Sequence, residues 1–211
     1  MCYFRFTIVA VALLILAVPY LALIAFRENL LFSMLLVRLT SPGAALYTQT
    51  RLGRNGRHFT IVKLRTMRQD CEKNSGACWS KPGDPRITKL GVWLRKLHID
   101  ELPQLWNVLQ GDMSLVGPRP ERPEIASTIE RHVPGYRDRL RVRPGLTGLA
   151  QIQLPADTDI ESVRRKVKLD QIYIQTRTAW LDVRLLIGTL FYLLRIRPQL
   201  SRKWLGLPPR A

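Results

Sequence analysis

Residues 98–124 read HIDELPQLWNVLQGDMSLVGPRPERPE. Two adjacent carboxylates, Asp100 and Glu101, open what reads as a short helix. Asp100 stands at its N-cap and Pro103 in its first turn, where a missing N–H breaks no intrahelical bond. Leu102, Leu105, Trp106 and Leu109 recur at helical spacing and make a face that can be buried. Gly111 supplies a left-handed stop. An apolar run then leads into Gly117-Pro118-Arg119-Pro120, a stiffened turn that pushes one guanidinium outward. The acids admit two accounts. In the plainer one they are a cap and a first-turn acid that serve the helix alone. In the other, Asp100 lies at the positive end of a helix dipole, facing a fixed Arg, and the pair works on a phosphate ester.

The rest of the composition favours phosphate-rich partners. Lys and Arg number 33 against 16 Asp and Glu, a formal charge of +17 in 211 residues. Such an excess suits nucleic acid, nucleotide substrates or anionic lipid headgroups. The length suits one domain plus a membrane segment. Cys2, Cys71 and Cys78 have neither metal-ligand spacing nor a disulfide framework, which fits a reduced, intracellular setting.

Phe6 to Phe26 is apolar apart from Thr7 and Tyr20, with Arg5 and Arg27 at its flanks. It is about long enough to span a bilayer. Pro19 inside it should kink or break a helix, and the two positive flanks give no inside–outside asymmetry. A single kinked span and a re-entrant hairpin both satisfy these facts. Leu30 to Leu39 continues the apolar character and reads as an interfacial segment before the Ser41-Pro42-Gly43 turn. Ala45–Thr50 and His58–Leu64 alternate as strands around Arg54-Asn55-Gly56, a hairpin in which Lys63 and Arg65 share a face. Asp84 and Pro85 read as a helix start, and Ile87, Leu90, Leu94 and Leu97 as its apolar stripe.

Pro123 to His132 reads as an amphipathic helix. Arg137, Arg139, Arg141 and Arg143 alternate along an extended-looking stretch; they suit either a nucleotide diphosphate or anionic lipid. Glu161 to Thr176 forms a charged helix, Trp180 to Ile196 an interfacial one or, as the rival reading, a second transmembrane helix, and residues 201–211 a basic tail. The fold class is α+β: a small, helix-rich, membrane-associated catalytic domain with one short β-hairpin. Residues 1–40 are membrane-embedded and 41–200 carry the catalytic domain. His98 is either a base or a structural neighbour of the acids, Arg95 can reach toward them, and Asp112 either joins a metal shell or caps the loop after Gly111.

The string from Asp100 to Leu109, followed by Gly-Asp-Met-Ser-Leu-Val-Gly-Pro-Arg-Pro, resembles the bacterial sugar transferase family. These are monotopic polyprenyl-phosphate phosphoglycosyl transferases. Upstream, Ser41-Pro42-Gly43, Gln49-Thr-Arg51-Leu-Gly53, Gly56, Phe59 and Lys63-Leu-Arg65-Thr66-Met67 are similar to its first block. Asp84 to Thr88, Leu94-Arg95-Lys96, Arg143 to Gln151 and Asp170 to Asp182 resemble its later ones. The family usually has an acidic residue after the basic N-terminal one; here the chain reads Arg5-Phe6-Thr7.

The resemblance implies transfer of a sugar 1-phosphate from a UDP-sugar to polyprenyl (undecaprenyl) phosphate. UMP would be released, and exopolysaccharide or glycoconjugate assembly would begin. Asp100 would be the nucleophile, forming an aspartyl phosphosugar, and Glu101 a base or metal-orienting partner. Mg²⁺ would bind at Asp100, and Lys63, Arg65 and Arg119 would bind phosphate. Arg141 and Arg143 are nucleotide-binding candidates. The re-entrant form of residues 6–26 is also implied by the resemblance. So is a place at the bacterial inner membrane, with the catalytic domain on its cytoplasmic face and membrane lipids as partners. The alternative is a membrane-anchored basic protein that holds nucleic acid or anionic lipid without catalysis. No nucleic-acid module supports it, so nucleic acid is not an expected partner.

Overall fold

Alternating side chains build the hairpin at the front of the molecule. β1 (Leu46–Leu52) and β2 (His58–Leu64) run antiparallel, with Leu46 opposite Leu64 and Leu52 opposite His58. A 3-10 turn at Arg54–Gly56 joins them, and Asn55 takes the left-handed conformation at φ 57°, which asparagine tolerates better than most residues. Along β2, Phe59 and Ile61 turn inward onto Met113 and Val108. The computed structural model describes residues 24–69, 71, 80, 83–157 and 159–208.

A helix over residues 24–40 (α1) precedes the hairpin. After it come α2 (Lys89–Lys96), a 3-10 turn at Ile99–Glu101, α3 (Gln104–Leu109) and β3 (Ser114–Val116). Next are α4 (Pro123–His132), a 3-10 helix at Tyr136–Arg141, β4 (Gly145–Thr147) and α5 (Leu149–Gln153). α6 (Ile160–Thr176), α7 (Ala179–Leu193) and α8 (Pro198–Leu205) complete the order. The fold is helix-rich and α+β in character, as the sequence predicts.

Three apolar clusters hold these elements around the β3–β4 segment. Val37 of α1 packs with Ala45, Leu94 and Ile99. Leu52, Ala126, Ile129, Tyr136, Val163 and Val167 join β1, α4 and α6. Val116, Leu149, Leu169, Tyr173, Leu181 and Leu185 form a further core, on which Leu205 and Leu207 also pack. α6 starts with a capping box, in which Asp159 accepts from the Ser162 amide and the Ser162 hydroxyl reaches back to the Asp159 amide.

Sequence patterning does not show the second sheet. β3 and β4 pair in parallel, Ser114 opposite Gly145 and Val116 opposite Thr147. The backbones approach so closely that a Cβ on Gly145 would lie 2.1 Å from the Gly117 nitrogen, and one on Gly148 2.2 Å from the Gly117 oxygen. The Gly117 amide donates to Thr147 O at 2.9 Å and the Gly145 amide to Pro118 O at 2.9 Å. Glycine is required here for space.

Several expectations are corrected. The helix expected from Asp84 begins at Lys89, capped by Thr88, because the Asp84 carboxylate is taken up by the Arg86 side chain and amide. The arginine-rich stretch is a 3-10 helix over Tyr136–Arg141, not an extended segment, since Tyr136 must turn inward to join its core. The expected basic tail begins inside α8, and buried Leu207 pins the chain just beyond that helix. In α3 the apolar stripe faces outward: Gln104 and Asn107 are buried, whereas Trp106 is 59% and Leu109 79% exposed.

Trp93, Trp180, Leu190, Leu194 and Trp204 are also exposed, as are Leu31, Phe32, Leu35 and Leu39 of α1. No helix among the described residues is long and apolar enough to cross a membrane. The segment 6–26, expected to be re-entrant, lies outside the described residues except for its last three.

Replacing Gly145 with alanine drives a methyl group into the Gly117 backbone. The expected cost is about 2 to 3 kcal/mol, read as a lower thermal midpoint of the detergent-solubilised chain. An unchanged melt would contradict the close pairing of β3 and β4.

Candidate active site

The acids sit in a tight reversal. α2 ends at Leu97, and His98 takes the left-handed conformation at φ 55°, turning the chain into the Ile99–Glu101 3-10 turn. The Glu101 amide donates to His98 O and the Leu102 amide to Ile99 O. α3 begins only at Gln104, with Pro103 at its N-cap and no side-chain cap. Asp100 is therefore not the helix cap that the sequence predicts, because backbone carbonyls already serve the turn's amides. His98 lies edge-on to Tyr192 of α7, ring centroids 5.8 Å apart.

Glu101 gathers the cations. Its Oε1 accepts from Lys63 Nζ at 3.2 Å and also from Arg119 Nη2, while Oε2 accepts from Arg119 Nη1 at 3.4 Å. Three separate segments thus converge: the end of β2, the 99–101 turn and the loop after β3. Burial alone would raise the Glu101 carboxyl, but Arg119 and then Lys63 outweigh it and hold the group well below the usual carboxylate range. Arg119 is pushed up by Glu101. Lys63 is lowered to about 8, first by burial and then by the charge of Arg119, against the pull of Glu101.

Asp100 differs from its neighbour. It is 8% exposed, and no hydrogen bond or ion pair reaches its carboxylate from the described residues. Burial and the charge of Glu101 raise its pKa, while Lys63, Arg95 and Arg119 pull the other way. Arg95 is held beside it through bonds from Nε to the Thr66 hydroxyl at 2.8 Å and from Nη1 to the Ser80 hydroxyl at 3.0 Å. A desolvated acid with no partner among the described residues, under the influence of Lys63, Arg95 and Arg119, has the features of a group able to meet an electrophile.

The other expected residues lie elsewhere. β2 ends at Leu64, so Arg65 departs from Lys63 and donates to the Ser41, Pro42 and Gly43 carbonyls at the end of α1. Its guanidinium joins α1 to the hairpin and makes no bond to Glu101. Arg141 lines a cavity of ≈ 550 Å³ with Leu52, His58, Pro123, Glu130 and Arg137, away from the two acids. Arg143 is exposed, its guanidinium directed toward the Gly111 turn. Asp112 is exposed in the turn after α3, and its amide donates to Asn107 O.

Two supports of the site are not legible in the sequence. Asn107 is 1% exposed and bonds to the backbone of β2 on both sides of Ile61. Its signal in the sequence is one of two amides, with Gln104, in an otherwise apolar helix. The second is the buried pair Arg139–Asp170, 2.8 Å apart; Arg139 Nη2 also donates to the Arg119 carbonyl at 2.9 Å. On the other side, Arg51 Nη1 donates to Pro120 O at 3.1 Å and the Leu52 amide to Glu121 O at 2.9 Å. The backbone of Arg119 is held from both flanks.

With this geometry in place, comparison with known proteins is informative. The sequence profile described as bacterial sugar transferase matches residues 6–196.

The chain belongs to the bacterial sugar transferase family.

It is 41% identical over 170 residues to the UDP-N-acetylgalactosamine-undecaprenyl-phosphate N-acetylgalactosaminephosphotransferase of Aeromonas hydrophila, covering 81% of this chain and 40% of that one. It is 45% identical over 167 residues to the UDP-glucose:undecaprenyl-phosphate glucose-1-phosphate transferase of Caulobacter vibrioides, covering 78% and 62%. It is 41% identical over 173 residues to the exopolysaccharide production protein PSS of Rhizobium leguminosarum bv. phaseoli, covering 80% and 86%. The first two relatives are longer, so the chain spans less than two thirds of their length.

Asp170→Asn leaves Arg139 buried without its counter-charge. The expected loss is about 3 to 5 kcal/mol of stability, measured by denaturant unfolding. A double change of Arg139→Met with Asp170→Leu should recover most of it. Equal instability in the double variant would contradict the ion-pair account.

Proposed function

We propose that this protein transfers a sugar 1-phosphate from a UDP-sugar to undecaprenyl phosphate, with release of UMP. The observation that carries the reading is the division of labour between adjacent acids: Glu101 is saturated by Lys63 and Arg119, and Asp100 is buried without a partner among the described residues. The activities by which the Aeromonas and Caulobacter relatives are named support it. They name different sugars, so the sugar transferred by this chain is left open.

In the first step an Asp100 oxygen attacks the β-phosphorus of the UDP-sugar. The bond from that phosphorus to the bridging oxygen breaks, UMP departs, and an aspartyl phosphosugar remains. In the second step an oxygen of undecaprenyl phosphate attacks the same phosphorus and returns the Asp100 carboxylate. Lys63 and Arg119 lie where charge accumulates on the phosphoryl oxygens, and Glu101 fixes both of them before substrate arrives. Lys63 is held by one contact to Glu101 and Arg119 by two, so Lys63 is the easier of the two to lend to a phosphate. Burial of Asp100 strips its hydration and leaves a more basic carboxylate for attack.

No group of three or more candidate metal ligands is present among the described residues. The donor set fits a Mg²⁺ ion held by one carboxylate, Asp100, together with substrate phosphates and water. Both oxygens of Glu101 are already occupied. When bound, the ion would neutralise phosphate charge. Arg65 supports the site by tying β2 to the end of α1, and Arg141 and Arg143 remain the candidates for nucleotide contacts away from the two acids.

Membrane attachment belongs to the same proposal. α7 turns Leu181, Leu185 and Gly188 inward yet exposes Trp180, Leu190 and Leu193, and α3 exposes Trp106 and Leu109 beside the acids. Helices apolar on their outer sides suit a lipid surface, from which a polyprenyl chain can be presented. A location at the bacterial inner membrane, with this domain on the cytoplasmic side and residues 6–26 re-entrant, completes the reading.

The direct test is UMP release from a panel of UDP-sugars by the purified full chain with undecaprenyl phosphate. Asp100→Asn should abolish release, and Glu101→Gln should lower it by about 100-fold or more. Salt-dependent nucleic-acid binding without UMP release would contradict the reading.

The pH profile gives a second check. Lys63 is protonated below its folded value of about 8 and loses its charge above it. Activity should therefore fall on the alkaline side with an apparent pKa of about 8. Lys63→Arg should move that limb to higher pH. An alkaline limb unmoved by the substitution would remove Lys63 from this role.

A further inference from the structure

Asn107 touches or adjoins all three segments bearing the Glu101 cluster. It lies in α3, directly after the turn that carries Asp100 and Glu101. Its Oδ1 accepts from the Val62 amide at 3.2 Å and its Nδ2 donates to the Thr60 carbonyl at 2.8 Å. These are the outward-facing groups on the free edge of β2, one residue before Lys63. A carboxamide has both a donor and an acceptor, so it completes this edge as a residue of a third strand would. The backbone carbonyl of Asn107 accepts from the amides of Asp112 (3.0 Å) and Met113 (3.2 Å), which begin the run through β3 to Arg119. Asp cannot match this pattern when ionised, and Leu can match neither bond.

We propose that Asn107 is a positioning residue of the phosphotransfer site: its carboxamide fixes the end of β2 against the Glu101 turn and thereby sets the Lys63–Glu101 contact. The proposal rests on the transfer reaction proposed above. Asn107 acts through Lys63 and not on substrate. A small displacement of β2 would move Lys63 away from the phosphoryl oxygens while leaving Asp100 in place. Misplacement by about 1 Å costs on the order of 100-fold in rate.

The experiment uses the full chain in lipid nanodiscs and a donor that the wild type turns over, taken from UDP-glucose, UDP-galactose and UDP-N-acetylgalactosamine. UMP is followed in rapid mixing without lipid acceptor. The burst amplitude counts correctly folded sites, and the burst rate reports their geometry. Asn107→Asp should keep its amplitude per folded chain and slow the burst by about 100-fold. Relative to wild type at each pH, its rate should rise as pH falls from about 8 to about 5.5, because a protonated carboxyl again donates to Thr60 O. In a Lys63→Ala background the same change should slow the burst by less than about threefold.

A lower amplitude with an unchanged rate, or full additivity with Lys63→Ala, would overturn the proposal. If Asn107→Asp does not fold, Asn107→Ser, whose hydroxyl can serve one of the two strand groups, is read against the same two criteria. A wild type that transfers to lipid without any burst would refute the covalent step instead. Asn107 is then judged from kcat of transfer, where additivity with Lys63→Ala again overturns its role.

Discussion

The site depends on one partly buried carboxylate shared by two cations. Glu101 takes Arg119 through both oxygens and Lys63 through one. Desolvating Glu101 even in part without a counter-charge is costly, and Lys63 and Arg119 from two other segments offset that cost. The cations gain from the same arrangement, because each is held near the other only by the charge between them. Glu101 holds both, and among the described residues Asp100 beside it makes no hydrogen bond or ion pair. A partnerless buried acid is costly to stability, and proteins keep such groups chiefly where they are used.

The surroundings carry that strain. Arg119 is held by bonds to its own carbonyl and to those of its neighbours, so its side chain remains available for Glu101. Arg139 makes one of these bonds while buried against Asp170, which places part of the site's precision deep in α6. The parallel contact of β3 and β4, which only glycine permits, fixes where the loop after Val116 starts. At the opposite end, Arg65 ties α1 to β2. The outwardly apolar helix α1 and the Lys63 strand are therefore mechanically joined.

Much of the site can be read from the sequence because its members have plain local signals. Asp100 and Glu101 are adjacent, Arg119 sits between prolines, and Lys63 continues the inward alternation of Phe59 and Ile61. Arg65 is misplaced by the same pattern, because alternation assumes that the strand continues and β2 stops at Leu64. The α3 stripe points the wrong way because periodicity shows that a face exists and not what covers it. Polar Asn107 turns inside because β2 presents backbone groups there that need hydrogen bonds. Parallel pairing of β3 with β4 is invisible for a different reason. Each strand is 3 residues long, too short to show a period, and their pairing is set by glycine clearance.

The central claim is that Glu101 frees Asp100 to carry the transferred phosphosugar. Intact-protein mass spectrometry of the full chain, quenched after incubation with UDP-sugar alone, tests it most directly. The account predicts an added mass equal to one sugar phosphate, located on the peptide that contains Asp100 and absent from the Asp100→Asn protein. Turnover in the presence of undecaprenyl phosphate with no such adduct, or an adduct on any other residue, would contradict it.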